Sequence, residues 1–114
     1  MNNIIHTRNA PSYFWGLGCC SWILKDNNDL SIKLESMPPG AKEVLHFHQR
    51  SNQFFFILKG NATFSIDDNL MYLNQHEGLS IAPFQKHFIA NESDENIEFL
   101  LISNPNTNQD RINV

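Results

Sequence analysis

At 114 residues and 13.2 kDa the chain has room for one hydrophobic core, and a single domain covering residues 1–114 is expected. Its 41% apolar and 18% charged composition is that of a folded globular chain and argues against disorder and against a membrane protein. A net charge of −4 and a pI near 5.6 argue against a nucleic-acid partner, which needs a basic face to neutralise phosphates.

The opening segment MNNIIHTRNA lacks the long apolar centre of a signal peptide, and no later run is long enough to cross a bilayer. A cytoplasmic location with no membrane partner is therefore expected. From there the chain reads as a succession of short strands. They are predicted at Tyr13–Trp15, Cys20–Lys25, Leu30–Met37, Glu43–His48, Gln53–Lys59, Ala62–Asp67, Leu70–Leu73, Gly78–Ala82, His87–Ala90 and Ile97–Ser103. Turn residues punctuate them: Pro38-Pro39-Gly40, Gly60-Asn61, Asp67-Asp68-Asn69. No stretch holds a helical period over three turns, so the fold class is all-β, a sandwich or barrel. The tail NPNTNQDRINV, residues 104–114, has little to bury and is assigned to the surface. Cys19 and Cys20 are adjacent, would point to opposite faces of a strand, and read as two reduced thiols.

The segment from Gly40 to Gly60, G-AKEVL-H-F-H-QRSN-Q-FFFILK-G, carries the chemistry. His46 and His48 are two apart and so share one face of a strand. Gln53 follows after a gap that accommodates a tight turn, at the head of a β-favouring run that stops at Gly60. Two ligands from one strand and one from the next can converge on a metal ion. If His46 and His48 point inward, Leu45 and Phe47 point out. If Gln53 points inward, Phe55 and Ile57 join it, and Phe54, Phe56 and Leu58 lie on the opposite face. A strand apolar on both sides must be covered twice. The outer cover is either residues 12–25 of the same chain or a second subunit, giving a homodimer.

This spacing is similar to the first motif of the cupin superfamily, G-x5-H-x-H-x(3,4)-E-x6-G, with Gln53 where glutamate usually stands. HEGLSIAPFQKHFIAN, residues 76–91, resembles the second motif in eroded form: His87 and Asn91 are kept, His76 replaces the opening glycine, the proline moves to Pro83, and Phe84 replaces the inner glycine. The resemblance implies a small single-domain cupin, a double-stranded β-helix (jelly-roll) barrel whose core covers about residues 30–103. Residues 1–29 would supply strands packing on that barrel. It further implies His46, His48, Gln53 and His87 as ligands of one divalent transition metal: Zn, Ni, Fe, Mn, Co or Cu. The cavity is expected to open between the strands bearing His48 and His87, with Phe55, Ile57 and Ile89 on the substrate-pocket wall. His76 is read as a surface histidine.

Glutamine in place of glutamate leaves the ion's charge less compensated, which favours substrate polarisation over redox chemistry. Three histidines and a glutamine resemble the ligand set of small cupins that linearise unsaturated uronates. The expected function is a metal-dependent isomerase or lyase acting on a carbohydrate-derived acid. The alternatives are a metal-dependent dioxygenase and a non-catalytic cupin that binds a small molecule or sugar. No acid or base is nominated: Glu35, Lys33 and Lys42 read as solvated charges.

Overall fold

Short runs of alternating side chains build eleven strands in the computed structural model, which describes residues 2–114; Met1 of the expected domain lies outside the described residues. They are β1 (Ser12–Trp15), β2 (Cys19–Asp26), β3 (Ser31–Met37), β4 (His46–His48), β5 (Asn52–Lys59), β6 (Ala62–Ile66), β7 (Asn69–Leu73), β8 (Gly78–Ile81), β9 (His87–Ala90), β10 (Ile97–Asn104) and β11 (Arg111–Asn113). A six-stranded sheet in the order β1-β2-β3-β10-β5-β8 faces a five-stranded sheet in the order β11-β4-β9-β6-β7, and the paired strands are antiparallel. This is the all-β jelly roll expected. The described residues contain no α-helix, and no helix is long and apolar enough to cross a membrane.

Period-two alternation decides which side chains enter the space between the sheets. Along β5 the buried residues are Gln53, Phe55 and Ile57, and along β10 they are Ile97, Phe99, Leu101 and Ser103. Phe55 packs edge-on against Phe64 at 5.0 Å and near Phe99 at 5.7 Å, so both sheets contribute to one core. Cys19 and Cys20 are free and both buried. Burial, reinforced by Glu35 and Glu43, pushes the Cys19 thiol up to about 11, where it is a packing residue and not a nucleophile.

The outward residues of the six-stranded sheet are apolar too. Register aligns Trp22, Leu34, Leu100 and Phe56 in one row, and Ile32, Ile102 and Phe54 in the next. Residues 12–25 do not cover this face. They extend the same sheet edgewise, as β1 and β2 beside β3, because β2 pairs with β3 through its backbone. Phe54 stays 38% exposed and the rest of both rows half-buried.

Two other expectations change. β4 starts at His46 rather than Glu43: before it, Lys42 makes only an isolated bridge to Ala90, and Glu43 N–H donates to the Ile89 carbonyl. The tail is not confined to the surface. β11 pairs with β4 over three residues, and Asp110 is buried at 2% exposure. Its carboxylate accepts backbone N–H bonds from Gln49, Arg50 and Ser51, whose unpaired amides in the β4–β5 turn need an acceptor.

Left-handed backbone occurs where the two eroded motif glycines would stand, at His76 (φ 66) and Phe84 (φ 69), so the chain path survives their replacement. Gly60 combines positive φ with crowding: a Cβ there would lie 2.7 Å from Ile97 Cγ2 and 3.1 Å from the Asn96 carbonyl. At Gly40 φ is also positive, but nothing lies within 4 Å of the added carbon. Gly40→Ala should therefore cost roughly 1–2 kcal/mol from backbone strain alone, and Gly60→Ala about 1–3 kcal/mol more from overpacking. Urea denaturation of both variants checks this. Equal losses would mean that Ile97 moves aside at no cost.

Candidate metal centre and cavity

His46 and His87 are direct cross-strand partners on β4 and β9, and His48 follows two residues along β4 on the same inward face. Their rings lie 4.3 Å (His46–His87), 5.2 Å (His46–His48) and 5.7 Å (His48–His87) apart, centroid to centroid. One nitrogen from each ring lies within 4.8 Å of the other two, a spacing that admits one metal ion. Gln53 comes from the opposite sheet. β4 and β5 are consecutive in sequence but not a hairpin, since the 49–51 turn carries the chain across the barrel.

Hydrogen bonds orient the donors. His46 Nδ1 lies 2.7 Å from the Val44 carbonyl and His87 Nδ1 2.9 Å from the Gln85 carbonyl, so each Nδ1 carries the proton and each Nε2 the lone pair. His48 Nδ1 stands 4.0 Å from Asp110 Oδ2, too far for a hydrogen bond. Gln53 Nε2 donates to Ser103 Oγ at 3.1 Å, which identifies Oε1 as the amide's free acceptor. Three buried polar atoms lack a partner among the described residues: His48 Nδ1, Gln53 Oε1 and His87 Nε2. Leaving such an atom unsatisfied costs about 1–3 kcal/mol. A cation shared by imidazole nitrogens and an amide oxygen would satisfy His87 Nε2 and Gln53 Oε1, so the donor set fits a metal.

The imidazoles are neutral at physiological pH. Burial is the main cause, holding His46 down to about 3 and His48 to about 4, with mutual repulsion among the rings adding to it. His87 is lowered for the same reason. Neutral imidazole is the form that ligates a metal.

A cavity of about 310 Å3 meets this cluster, with His46, His48, Gln53 and Phe55 on its wall. Ile57 and Ile89, expected on that wall, lie fully buried in the core instead. Ile57 is two residues deeper along β5, and Ile89 stands opposite Phe64 in the five-stranded sheet. The mouth also differs from expectation. β4 and β9 are bonded neighbours and leave no gap, and the cavity is bounded instead by Tyr13, Trp15, Gly16, Thr107 and Arg111. His76 is exposed, as read from the sequence, and stacks on Phe56 at 6.3 Å.

Sequence reasoning missed the charged part of the wall. Glu35, read as a surface charge, is 5% exposed and lines the cavity. Its Oε2 accepts a hydrogen bond from Ser21 Oγ, and Ser21 in turn accepts from Trp15 Nε1 at 2.8 Å. Burial raises its pKa against the opposing pull of Ser21, Lys33 and Arg111. Glu43, half-buried, is raised to about 8 by burial and by Glu35, while its Oε1 accepts from the Ile89 N–H. Lys33, Lys42 and Arg111 complete the wall. Lys33 Nζ is held by Tyr13 Oη at 2.9 Å, and Lys42 Nζ lies 4.5 Å from the Phe88 ring centroid. The only signal for Glu35 was its inward parity on β3, which identifies a buried carboxyl only once β1 and β2 are known to flank it.

Because the folded pKa of Glu43 lies above its unfolded value of about 4.5, its contribution to stability is present below pH 4.5 and lost as pH rises towards 8. In metal-free protein, Glu43→Gln should therefore gain stability relative to wild type as pH goes from 5 to 8. Denaturant midpoints at several pH values measure this. A gap that stays constant with pH would mean Glu43 titrates normally.

A family model described as a cupin domain matches residues 33–103. An uncharacterized protein of Methanocaldococcus jannaschii is 28% identical over 69 residues, covering 60% of this chain and 55% of that protein; the match spans little more than half of the relative's length. Among solved structures, a predicted oxalate decarboxylase from Thermotoga maritima superposes with TM-score 0.83 at 16% identity, covering 91% of this chain and all of that one. A sugar phosphate isomerase of the cupin superfamily from Silicibacter pomeroyi superposes with TM-score 0.76 at 16% identity, covering 91% and 76%. At these identities the structural likeness establishes the fold.

Proposed function

The chain belongs to the cupin-domain family, and from that premise we propose that it is a metal-dependent isomerase or lyase acting on a small oxygenated acid, with His46, His48, His87 and Gln53 holding one divalent transition metal. The observation that carries this reading is the clustering of three neutral buried imidazoles beside an unpartnered glutamine oxygen, with His46, His48 and Gln53 lining a cavity edged by Lys33, Lys42 and Arg111. When bound, such a metal supplies a Lewis-acid positive charge that polarises a carbonyl or carboxylate oxygen. The cationic side chains draw an anionic substrate into the cavity. Trp15, Phe55 and Leu101 give that cavity an apolar wall that excludes bulk water. Val44 and Gln85 carbonyls fix the tautomers of His46 and His87, and Ser103 fixes the Gln53 amide. The oxalate decarboxylase and sugar phosphate isomerase among the structural neighbours both handle oxygenated small molecules by name, which supports the same class at the level of fold.

Gln53→Glu tests the charge argument. A carboxylate compensates the ion where the amide does not, and Ser103 Oγ can turn to donate to it. Zn(II) binding should tighten by on the order of tenfold, about 1.4 kcal/mol, while oxalate should bind the metal-loaded variant more weakly than wild type. Calorimetric titration of both ligands decides it. A variant that binds zinc no tighter and oxalate equally well would remove Gln53 from the ligand set.

The outer face of the six-stranded sheet supports a homodimer, since this chain covers its two apolar rows only in part, with the His76 ring on Phe56, and a two-fold axis would pair the same patch with its own copy. Leu100 lies near the centre of that face. Sedimentation should find wild type as a dimer and Leu100→Lys as a folded monomer. A monomeric wild type would overturn the assignment.

A further inference from the structure

Two carboxyl groups, Glu35 and Glu43, face the cavity, and they are held in different ways. Glu43 accepts the Ile89 backbone N–H and belongs to the segment leading into β4. Glu35 belongs to a side-chain relay with no evident structural duty: Trp15 Nε1 donates to Ser21 Oγ, and Ser21 Oγ donates to Glu35 Oε2. Ser21 is fully buried and Glu35 nearly so. Burying a carboxyl on a sheet interior is costly, and an apolar residue there would pack against Phe99, its cross-strand partner, without that cost. Cations flank it: Lys33 on its own strand and Arg111 from β11. Cys19, Cys20 and Glu43 are the other titratable groups that sense its charge.

We propose that Glu35 is the proton-transfer group of the cavity and that Trp15 and Ser21 are its positioning residues. The assignment rests on the functional reading above and supplies the acid and base that reading lacks. In an isomerisation the Glu35 carboxylate takes a proton from the carbon next to the substrate carbonyl. The C–H bond breaks, its electron pair moves into the adjacent carbon–carbon bond, and the carbonyl oxygen takes up the negative charge. The hydroxyl on the carbon that lost its proton passes its own proton to that oxygen, and Glu35, now protonated, returns the abstracted proton at the former carbonyl carbon. The carbonyl has then moved by one carbon, and no oxidant or reductant enters. The relay fixes one carboxyl oxygen of a side chain that lines the cavity and leaves the other for the substrate.

Solvent-proton exchange provides the test, because it reads the first half of this sequence without net turnover. Metal-loaded protein is incubated in D2O with a panel of uronates and aldose phosphates, and deuterium entering next to the carbonyl is followed by NMR. Binding of D-galacturonate is measured in parallel by calorimetry. Glu35→Gln should retain metal content, melting temperature and galacturonate affinity while exchange falls at least about 100-fold. Glu35→Asp, which keeps the carboxyl on a shorter arm, should recover part of the loss. Ser21→Ala should lower the exchange rate constant at saturation and shift its pH profile with the KM for exchange unchanged, and Trp15→Phe should lower the same rate constant and shift the same profile. Exchange in Glu35→Gln within about threefold of wild type would overturn the role of Glu35 and leave the functional reading standing. Wild-type protein that exchanges nothing in the panel while holding its metal would overturn the isomerase or lyase reading, and this assignment with it.

Discussion

β4 supplies two of the three clustered histidines in a strand of only three residues, so the site depends on how so short a strand is held. Towards β9 it is registered through one pair, His46 with His87. Towards β11 it is registered through all three residues. The Asp110 carboxylate, just before β11, gathers the N–H groups of Gln49, Arg50 and Ser51 as the chain leaves His48. Burial alone would raise that carboxyl. The backbone amides of Ser51, Gln49 and Arg50, with the Arg50 guanidinium 3.8 Å away, outweigh burial and hold it below its usual range, so it stays ionised. From the other side, the Phe84 N–H donates to the His48 carbonyl at 2.7 Å. The two imidazoles of β4 are thus fixed by segments far from them in sequence, and the C-terminal residues are part of the site's framework.

That dependence marks the boundary of what the sequence reveals. The pairing of His46 with His48 is legible because period-two geometry is local: two residues apart on a strand means the same face. The ten strands before the tail are legible for the same reason, since β-favouring runs and turn residues lie next to each other. Asp110 and the 49–51 turn are about sixty residues apart, and no local pattern links them. β11 is a short, mostly polar edge strand, held by β4 and not by burial of its own side chains, so composition assigns it to the surface. Glu35 sits between Leu34 and Ser36 in SIKLESM with nothing local to mark it as buried, and its burial is decided by Trp15 and Ser21 from strands that reach it only through sheet order. Ile57 and Ile89 have the inward parity of pocket residues. Parity gives the face but not the depth, and both are fully buried in the core, away from the cavity wall.

A dry interior shapes the charge of the cavity in one consistent way. Burial favours the neutral form of each group it covers, pushing His46 and His48 down while raising Glu35 and Glu43. The imidazoles become good metal donors, and the carboxyls offset less of the positive charge carried by Lys33, Lys42 and Arg111. The same desolvation that creates neutral ligands leaves the wall receptive to an anion. Placing glutamine rather than glutamate at residue 53 acts in the same direction, since it adds no negative charge to the cluster. Glu35, Glu43 and Gln53 thus each withhold negative charge from a wall that carries Lys33, Lys42 and Arg111, which favours an acidic substrate.

The loop leading to His87 shows how the chain keeps a demanding backbone without the residue that favours it. Left-handed φ at His76 and Phe84 costs on the order of 1 kcal/mol each for a side chain with a Cβ. Both residues use the side chain that creates the cost. The His76 ring stacks on Phe56, one of the apolar residues on the outer sheet face, and the Phe84 ring approaches Phe47, the outward neighbour of the two β4 histidines, at 6.1 Å. Glycine at either place would relieve the backbone and forfeit the contact. At residue 84 the trade bears on the site, because the same residue's N–H holds the His48 carbonyl and its ring approaches Phe47 of β4. The erosion of the second motif is thus local replacement of conformational freedom by packing, which preserves the path that delivers His87 to His46.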